Sequence, residues 1–92
     1  MKVMILVLSL VVTACSSVPL NEAGRSVRTV RTTPTGCKYI GPVSGSANED
    51  YKNPAEHMIN QIKNDAAKLG ANTVEITSTA PYSMIAEAYS CQ

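Results

Sequence analysis

The sequence predicts a small α+β domain, in which one amphipathic helix covers one face of a mostly antiparallel sheet in the order β-β-α-β-β. Two observations lead to this fold class. Apolar residues recur at helical spacing between residues 53 and 70, and segments rich in Val, Thr, Ile and Tyr lie on both sides of that stretch. Residues 25–92 are enough for one such domain and too few for two.

The first predicted strand covers residues 25–33 and is rich in Val, Thr and Arg. Arg25, Arg28 and Arg31 favour a solvated edge strand, because charged side chains discourage pairing with other chains. A basic binding edge is the alternative. A turn of composition Thr-Pro-Thr-Gly follows at residues 33–36.

The second predicted strand covers residues 37–46, with Cys37, Tyr39 and Val43 in phase on one face. Gly41-Pro42 interrupts this strand. Since proline has no N–H to donate to a ladder, the strand is predicted to be bent, bulged or at an edge there.

The predicted helix has sequence signals at both ends. Asn53 is a good N-cap, Pro54 suits the first helical position, and Glu56 lies three residues after the cap. Gly70 is placed to end the helix in a left-handed conformation. One side of the helix is apolar and carries Ala55, Met58, Ile59, Ile62, Ala66 and Leu69. The other side is polar and carries His57, Asn60, Gln61, Asn64 and Lys68.

Two more strands are predicted after the helix. Residues 72–79 place Val74, Ile76 and Ser78 on one face, and Pro81 ends that strand. Residues 84–91 alternate between two faces, one with Ile85, Tyr89 and Cys91 and the other with Met84, Ala86 and Ala88. The small alanines favour the second face as the one under the helix, but the sequence leaves this choice open.

The N-terminal residues have the pattern of an exported lipoprotein. The apolar run at residues 3–12 is too short to span a bilayer, which needs about 20 residues. Val12-Thr13-Ala14-Cys15 follows, and it resembles a bacterial lipobox, whose cysteine is diacylated before cleavage. Residues 1–14 are therefore predicted to be a signal peptide, and Cys15 is the predicted lipidation site. An ordinary signal peptide cut after Ala14 is the alternative.

Residues 15–24 are predicted to be a lipidated tether, because Ser, Pro, Asn and Gly predominate there. Acyl chains on Cys15 would hold the protein at a membrane, since each buried methylene contributes about 0.8 kcal/mol. Ser16 is not acidic, which resembles the sorting rule for transfer to the outer membrane. The predicted location is the cell outer membrane, lipid-anchored, with the domain facing the periplasm.

Lipidation of Cys15 leaves an even pair of cysteines, Cys37 and Cys91. A bridge between them is estimated to contribute about 4 kcal/mol through chain entropy, against net stabilities of about 5–15 kcal/mol. A metal site is disfavoured because short ligand spacing is missing, and a redox site because no Cys-x-x-Cys occurs. A structural disulfide is therefore predicted, with a metal site or a reactive thiol as alternatives.

Composition and spacing disfavour several functional classes. The formal net charge is +1, and Lys2 leaves with the signal peptide, so nothing indicates nucleic-acid binding. The single histidine, His57, is predicted to be an exposed residue without a catalytic or metal role. No phosphate loop or nucleophile elbow occurs in the sequence. We expect no catalytic residue, cofactor, metal or small-molecule substrate; a small envelope hydrolase or thiol oxidoreductase with an unrecognised site is the alternative.

Several motifs complete the pattern: the lipobox, Leu20-Asn-Glu-Ala-Gly24, Cys37-Lys-Tyr-Ile-Gly-Pro-Val-Ser-Gly45, Ala66-Ala-Lys-Leu-Gly-Ala-Asn-Thr-Val74 and Ala88-Tyr-Ser-Cys91. Together they resemble a family of small bacterial lipoproteins of unknown function, which is similar to the soluble domain of the Rcs envelope-stress sensor lipoprotein. The resemblance implies a compact α+β domain with a disulfide and no known catalytic residue. The sensor has four domain cysteines and a longer tether, so a signalling role is not carried over. We therefore expect a non-catalytic binding or interaction domain that uses the sheet or its edge to meet another envelope protein or the cell wall.

Overall fold

Residues 19–92 are described by a computed structural model, and they form the predicted α+β fold with one additional short helix. The predicted signal peptide and Cys15 lie outside the described residues. The elements, in chain order, are α1 (Glu22–Arg25), β1 (Arg28–Val30), β2 (Lys38–Ser46), α2 (Pro54–Lys68), β3 (Thr73–Ala80) and β4 (Ser83–Ser90).

The four strands form one sheet in the order β1-β3-β4-β2. β4 pairs antiparallel with both β2 and β3, whereas β1 pairs parallel with β3. The sheet is therefore mixed, with antiparallel pairs in the majority as predicted. β1 lies at an edge, as its arginines indicated, but it is three residues long and much shorter than the predicted strand.

β2 contains the irregularity that Gly41-Pro42 predicted. The pairing of β2 with β4 shifts register between Tyr39 and Gly41, and β2 is the second edge strand of the sheet. An extra residue in a strand inverts the alternation of its faces. Tyr39 is therefore exposed while Val43 is buried, and the prediction that they share a face was wrong.

α2 begins and ends close to the predicted positions. The side chain of Asn53 accepts a hydrogen bond from the backbone N–H of Glu56 (3.3 Å), and Pro54 is the first helical residue. Gly70 adopts a φ of 89°, and its N–H donates to the carbonyl of Ala67 (3.0 Å). A left-handed residue after the last turn is the ending that favours glycine.

The hydrophobic core lies between α2 and one face of the sheet. Its members are Val27, Val43, Met58, Ile62, Ala66, Ala71, Val74, Ile76, Met84, Ala86 and Ala88. The alanines of β4 therefore lie on the face beneath the helix, which decides the question that the sequence left open. Gly45 allows β2 and α2 to approach closely, because a Cβ there would lie 2.7 Å from the backbone oxygen of Met58.

The polar side of α2 is less exposed than predicted. His57 is only 3% exposed, and its ring stacks on Tyr51 with 4.0 Å between the centroids. Asn64 is 9% exposed, because the N-terminal segment packs against it. Leu69, expected among the apolar contacts, is 52% exposed at the C-cap. The expectation of an exposed His57 was wrong, since helical periodicity does not reveal which loops pack beside the helix.

The packed domain begins before residue 25. Asn21 caps α1 by accepting a hydrogen bond from the N–H of Gly24 (2.7 Å). Gly24 is buried, and a Cβ at this position would collide with Asn64 Oδ1. Residues 19–24 were predicted to belong to the tether, and in the structure they fold against α2.

Candidate binding surface on the open face of the sheet

Within residues 19–92, the two helices pack against each other on the core side of the sheet. The opposite face carries the side chains that alternate with the core residues, and we call it the open face. Exposed apolar side chains on it include Tyr39 and Ile85, which are 53% and 46% exposed. Within the described residues, the open face is therefore the face of the sheet opposite the helical layer.

Two tyrosines lie side by side on the open face. Tyr39 of β2 and Tyr89 of β4 are cross-strand partners, and their rings meet edge to face with 5.6 Å between the centroids. This geometry suits the quadrupoles of the two rings. Tyr39 reaches this face because the register shift lies between it and Val43. The bulge thus places an aromatic pair at the surface instead of in the core.

Two glutamates lie beside the tyrosines. Glu75 of β3 and Glu87 of β4 are directly opposite each other, a pairing that places like charges together and costs stability. The hydroxyl of Tyr39 donates to Glu87 Oε1 (2.6 Å), and that of Tyr89 donates to Glu75 Oε1 (3.3 Å). Thr33 Oγ1 donates to Glu75 Oε2 (3.1 Å). Each carboxylate therefore has a hydroxyl donor that offsets part of the repulsion.

We call Tyr39, Glu75, Glu87 and Tyr89 the tyrosine–glutamate patch. The hydrogen bond to Glu87 raises the pKa of Tyr39 above its usual value, and partial desolvation and the charge of Glu87 add to the effect. Desolvation raises the pKa of Tyr89, followed by the charge of Glu75. Both phenols therefore remain neutral donors at physiological pH and hold the carboxylates in place.

The patch combines two properties that a binding surface for basic side chains requires. The carboxylates offer acceptors for charge-assisted hydrogen bonds, and the tyrosine rings offer faces for cation–π contact. A groove of about 610 Å³ adjoins this face; its lining includes Pro42 and Ile85 from the sheet and Leu69 at the C-cap of α2. The acidic patch therefore has an apolar neighbour, as at protein–protein interfaces that combine both kinds of contact.

The predicted site residues have different outcomes. Cys37 and Cys91 form the predicted disulfide, which joins the start of β2 to the residue after β4. Cys15 lies outside the described residues, so its lipidation stays a prediction. His57 stacks on Tyr51 and is not part of the patch. In the described part of the chain, no group of three or more His, Cys, Asp or Glu residues is arranged to hold a metal ion.

The patch was not predicted from the sequence, because Glu75 and Glu87 belong to no recognised motif. A signal was present in the alternation of β3 and β4, since each glutamate neighbours a core residue and must point to the opposite face. The direct pairing of the two glutamates could not be predicted this way, because it depends on a register shift between Ile76 and Ser78.

These features define a small disulfide-linked α+β domain with a helical layer on one face of its sheet and an acidic, aromatic patch on the other. The chain belongs to the DUF4156 family, a domain of unknown function whose model matches residues 18–91. This match confirms the expectation that the chain belongs to a family of unknown function. Comparison with curated proteins and with solved structures found no match. No helix in residues 19–92 has the length and apolar character needed to cross a membrane.

Proposed function

We propose that this chain is a cell-envelope lipoprotein, anchored through Cys15, whose domain is a non-catalytic binding module. Its binding surface is the open face of the sheet, and its partner is another envelope protein that presents basic side chains. The observation that carries the proposal is the tyrosine–glutamate patch, in which Tyr39 is exposed and the other three side chains are half-buried.

The hydrogen bonds within the patch support binding without a large ordering cost. Tyr39 fixes Glu87 and Tyr89 fixes Glu75, so the four side chains are already held before a partner arrives. Rigid groups lose less conformational entropy on association, which leaves more of the contact energy as affinity. Tyrosine is also enriched among the residues that dominate binding energy at interfaces.

The anchor is supported by the sequence around Cys15. A short apolar run, a lipobox-like Val12-Thr13-Ala14-Cys15 and the non-acidic Ser16 favour a lipoprotein of the outer membrane whose domain faces the periplasm. The resemblance to the Rcs sensor lipoprotein favours the same compartment. Incorporation of labelled palmitate tests the anchor directly: it should disappear in Cys15→Ala, and label that persists in this variant refutes the lipidation site.

Crosslinking in intact cells tests the binding surface. A photoreactive amino acid is placed at Ile85 on the open face and, as the control, at exposed Glu56 in the first turn of α2. Adducts are identified by mass spectrometry. We expect one envelope protein to be captured from Ile85 and not from Glu56. The adduct should weaken when Glu75→Gln and Glu87→Gln are introduced together, because the substitutions remove charge but conserve shape. Capture that is equal at both positions, or unchanged by the double substitution, contradicts the proposal.

A further inference from the structure

We infer that the helical layer of the domain lies against the headgroup surface of the membrane that holds the anchor, so that the open face points away from it. This orientation rests on the proposed lipidation of Cys15. It follows from where the chain enters the domain and from how little chain separates that point from the lipid.

The entry point is held by the side-chain amide of Asn64 in the C-terminal half of α2. Its Nδ2 donates to the carbonyl of Pro19 (3.0 Å), and its Oδ1 accepts from the N–H of Asn21 (3.0 Å). Asn64 is 9% exposed, and buried Gly24 packs beside it. Both ends of the amide are thus used to fix the N-terminal segment on the helical layer.

The chain between the entry point and the lipid is short. Pro19 lies four positions after Cys15. At about 3.3–3.6 Å per residue, the fully extended chain spans at most ~14 Å. An α-helix with its side chains is about 10–12 Å thick, and the sheet lies beyond it. Asn64, which holds Pro19, lies two positions from the buried core residues Ile62 and Ala66, so at 3.6 residues per turn it lies on the side of α2 away from the sheet. The open face therefore lies behind the helix and the sheet as seen from Pro19. A chain this short favours an orientation in which the open face points away from the bilayer.

The orientation has a consequence for the partner. A protein that binds the tyrosine–glutamate patch approaches from the side away from the membrane and does not compete with lipid for the surface. The groove beside Leu69 and Ile85 extends from the sheet toward α2, so contacts there lie nearer the membrane than contacts with Glu87.

Paramagnetic broadening of backbone amide signals tests the orientation. The full lipidated protein is placed in lipid nanodiscs that contain a gadolinium-chelating headgroup lipid, with diamagnetic nanodiscs as the reference. We expect strong broadening at Ala23 of α1 and at Lys63 of α2, and little broadening at Ile85 and Glu87. Broadening that is uniform, or stronger at Ile85 than at Ala23, overturns the inference.

The mass of the N-terminal peptide is measured on the same sample. A peptide without acyl chains refutes the proposed anchor, and the orientation falls with it. An acylated peptide together with uniform broadening refutes the orientation alone. The two failures are therefore distinguishable.

Two changes test the cause of the orientation. Asn64→Leu removes both hydrogen bonds to the N-terminal segment. The difference in broadening between Ala23 and Ile85 should therefore be reduced or lost. Asn48→Ala is the control, because the side chain of this exposed loop asparagine accepts a local hydrogen bond from the N–H of Asp50 and has no described contact with the N-terminal segment. The difference in broadening between Ala23 and Ile85 should remain in this variant.

A spacer provides a second test that leaves the domain unchanged. Six Gly and Ser residues inserted between Ser17 and Val18 extend the reach by about 20 Å. The difference in broadening between Ala23 and Ile85 should fall in the spacer variant. This test does not depend on whether Asn64→Leu folds. If the difference in broadening persists unchanged in the spacer variant, the tether does not set the orientation and the inference is wrong.

Discussion

Removal of the disulfide should strongly destabilise the domain. Cys37 and Cys91 are 54 positions apart in sequence, and the chain-entropy relation for a loop of that length gives about 4 kcal/mol. Both cysteines are half-buried, so serine at either position keeps access to solvent and adds little burial cost. The predicted loss is therefore close to the entropic value alone, and it is large beside a total stability of about 5–15 kcal/mol.

The structure also indicates what will remain after the bond is removed. Asn72 holds the backbone of Cys91 from both sides: its Oδ1 accepts from the N–H (2.8 Å), and its Nδ2 donates to the carbonyl (2.6 Å). The end of β4 therefore keeps a native attachment to the start of β3. We expect the reduced domain to be less stable but to keep the same strand order under conditions in which it is folded.

Urea unfolding of the domain measures the effect, with Cys37→Ser, Cys91→Ser and the double variant compared at equal pH. Each single variant should lose about 4 kcal/mol, and the double variant should lose little more, because the same bond is removed once. In a domain of this size, each 1 kcal/mol corresponds to a shift in melting temperature of roughly 4–8 °C. Additive losses, or alkylation of free thiols in the unreduced native protein, would refute the reasoning.

Three further changes test the core, the helix contact and the patch. Ile62→Ala should cost about 2–5 kcal/mol in urea unfolding, because this fully buried side chain would leave a cavity beneath α2; a loss below that range contradicts its packing. Gly45→Ala should destabilise the domain, since its Cβ would meet the backbone of α2, whereas Gly41→Ala has open space and serves as the control. Tyr39 has a pKa raised by Glu87, so its contribution is present below the unfolded pKa of about 10 and is lost as pH rises through the higher folded pKa. Unfolding free energies measured from pH 8 to 11 should therefore fall less steeply in Tyr39→Phe, and equal slopes contradict the hydrogen bond.

Helix α2 shows how much of the fold could be predicted from local chemistry. Asn53, Pro54 and Gly70 act within a few residues of their own positions, and the structure uses them as the cap, the first turn and the ending. The apolar periodicity likewise identified the side that faces the sheet, with Met58 and Ile62 fully buried. These signals are local, so one sequence contains them completely.

The register of the β3–β4 hairpin shows what local chemistry leaves out. Ala80 pairs with Ser83 across the turn, and a regular ladder from that pair would place Glu75 opposite Ala88, on the core face. The shift between Ile76 and Ser78 restores the parity and brings Glu75 opposite Glu87. The bulge is favoured because it allows both strands to bury their apolar residues on the same face. The two glutamates of the patch are therefore paired as a consequence of burying the apolar residues of both strands in the core.

The sequence by itself determined the fold class, the limits of α2 and the distortion of the edge strand near Gly41-Pro42, because each depends on propensity or turn chemistry. The cysteine count predicted the pairing of Cys37 with Cys91, with other roles left open. Only the tertiary structure decided the parallel pairing of β1 with β3 and the burial of His57 and Asn64. It also decided the contacts between the two tyrosines and the two glutamates. The physical reason is that these features depend on contacts between segments far apart in the chain, and such contacts are selected by the packing of the whole core.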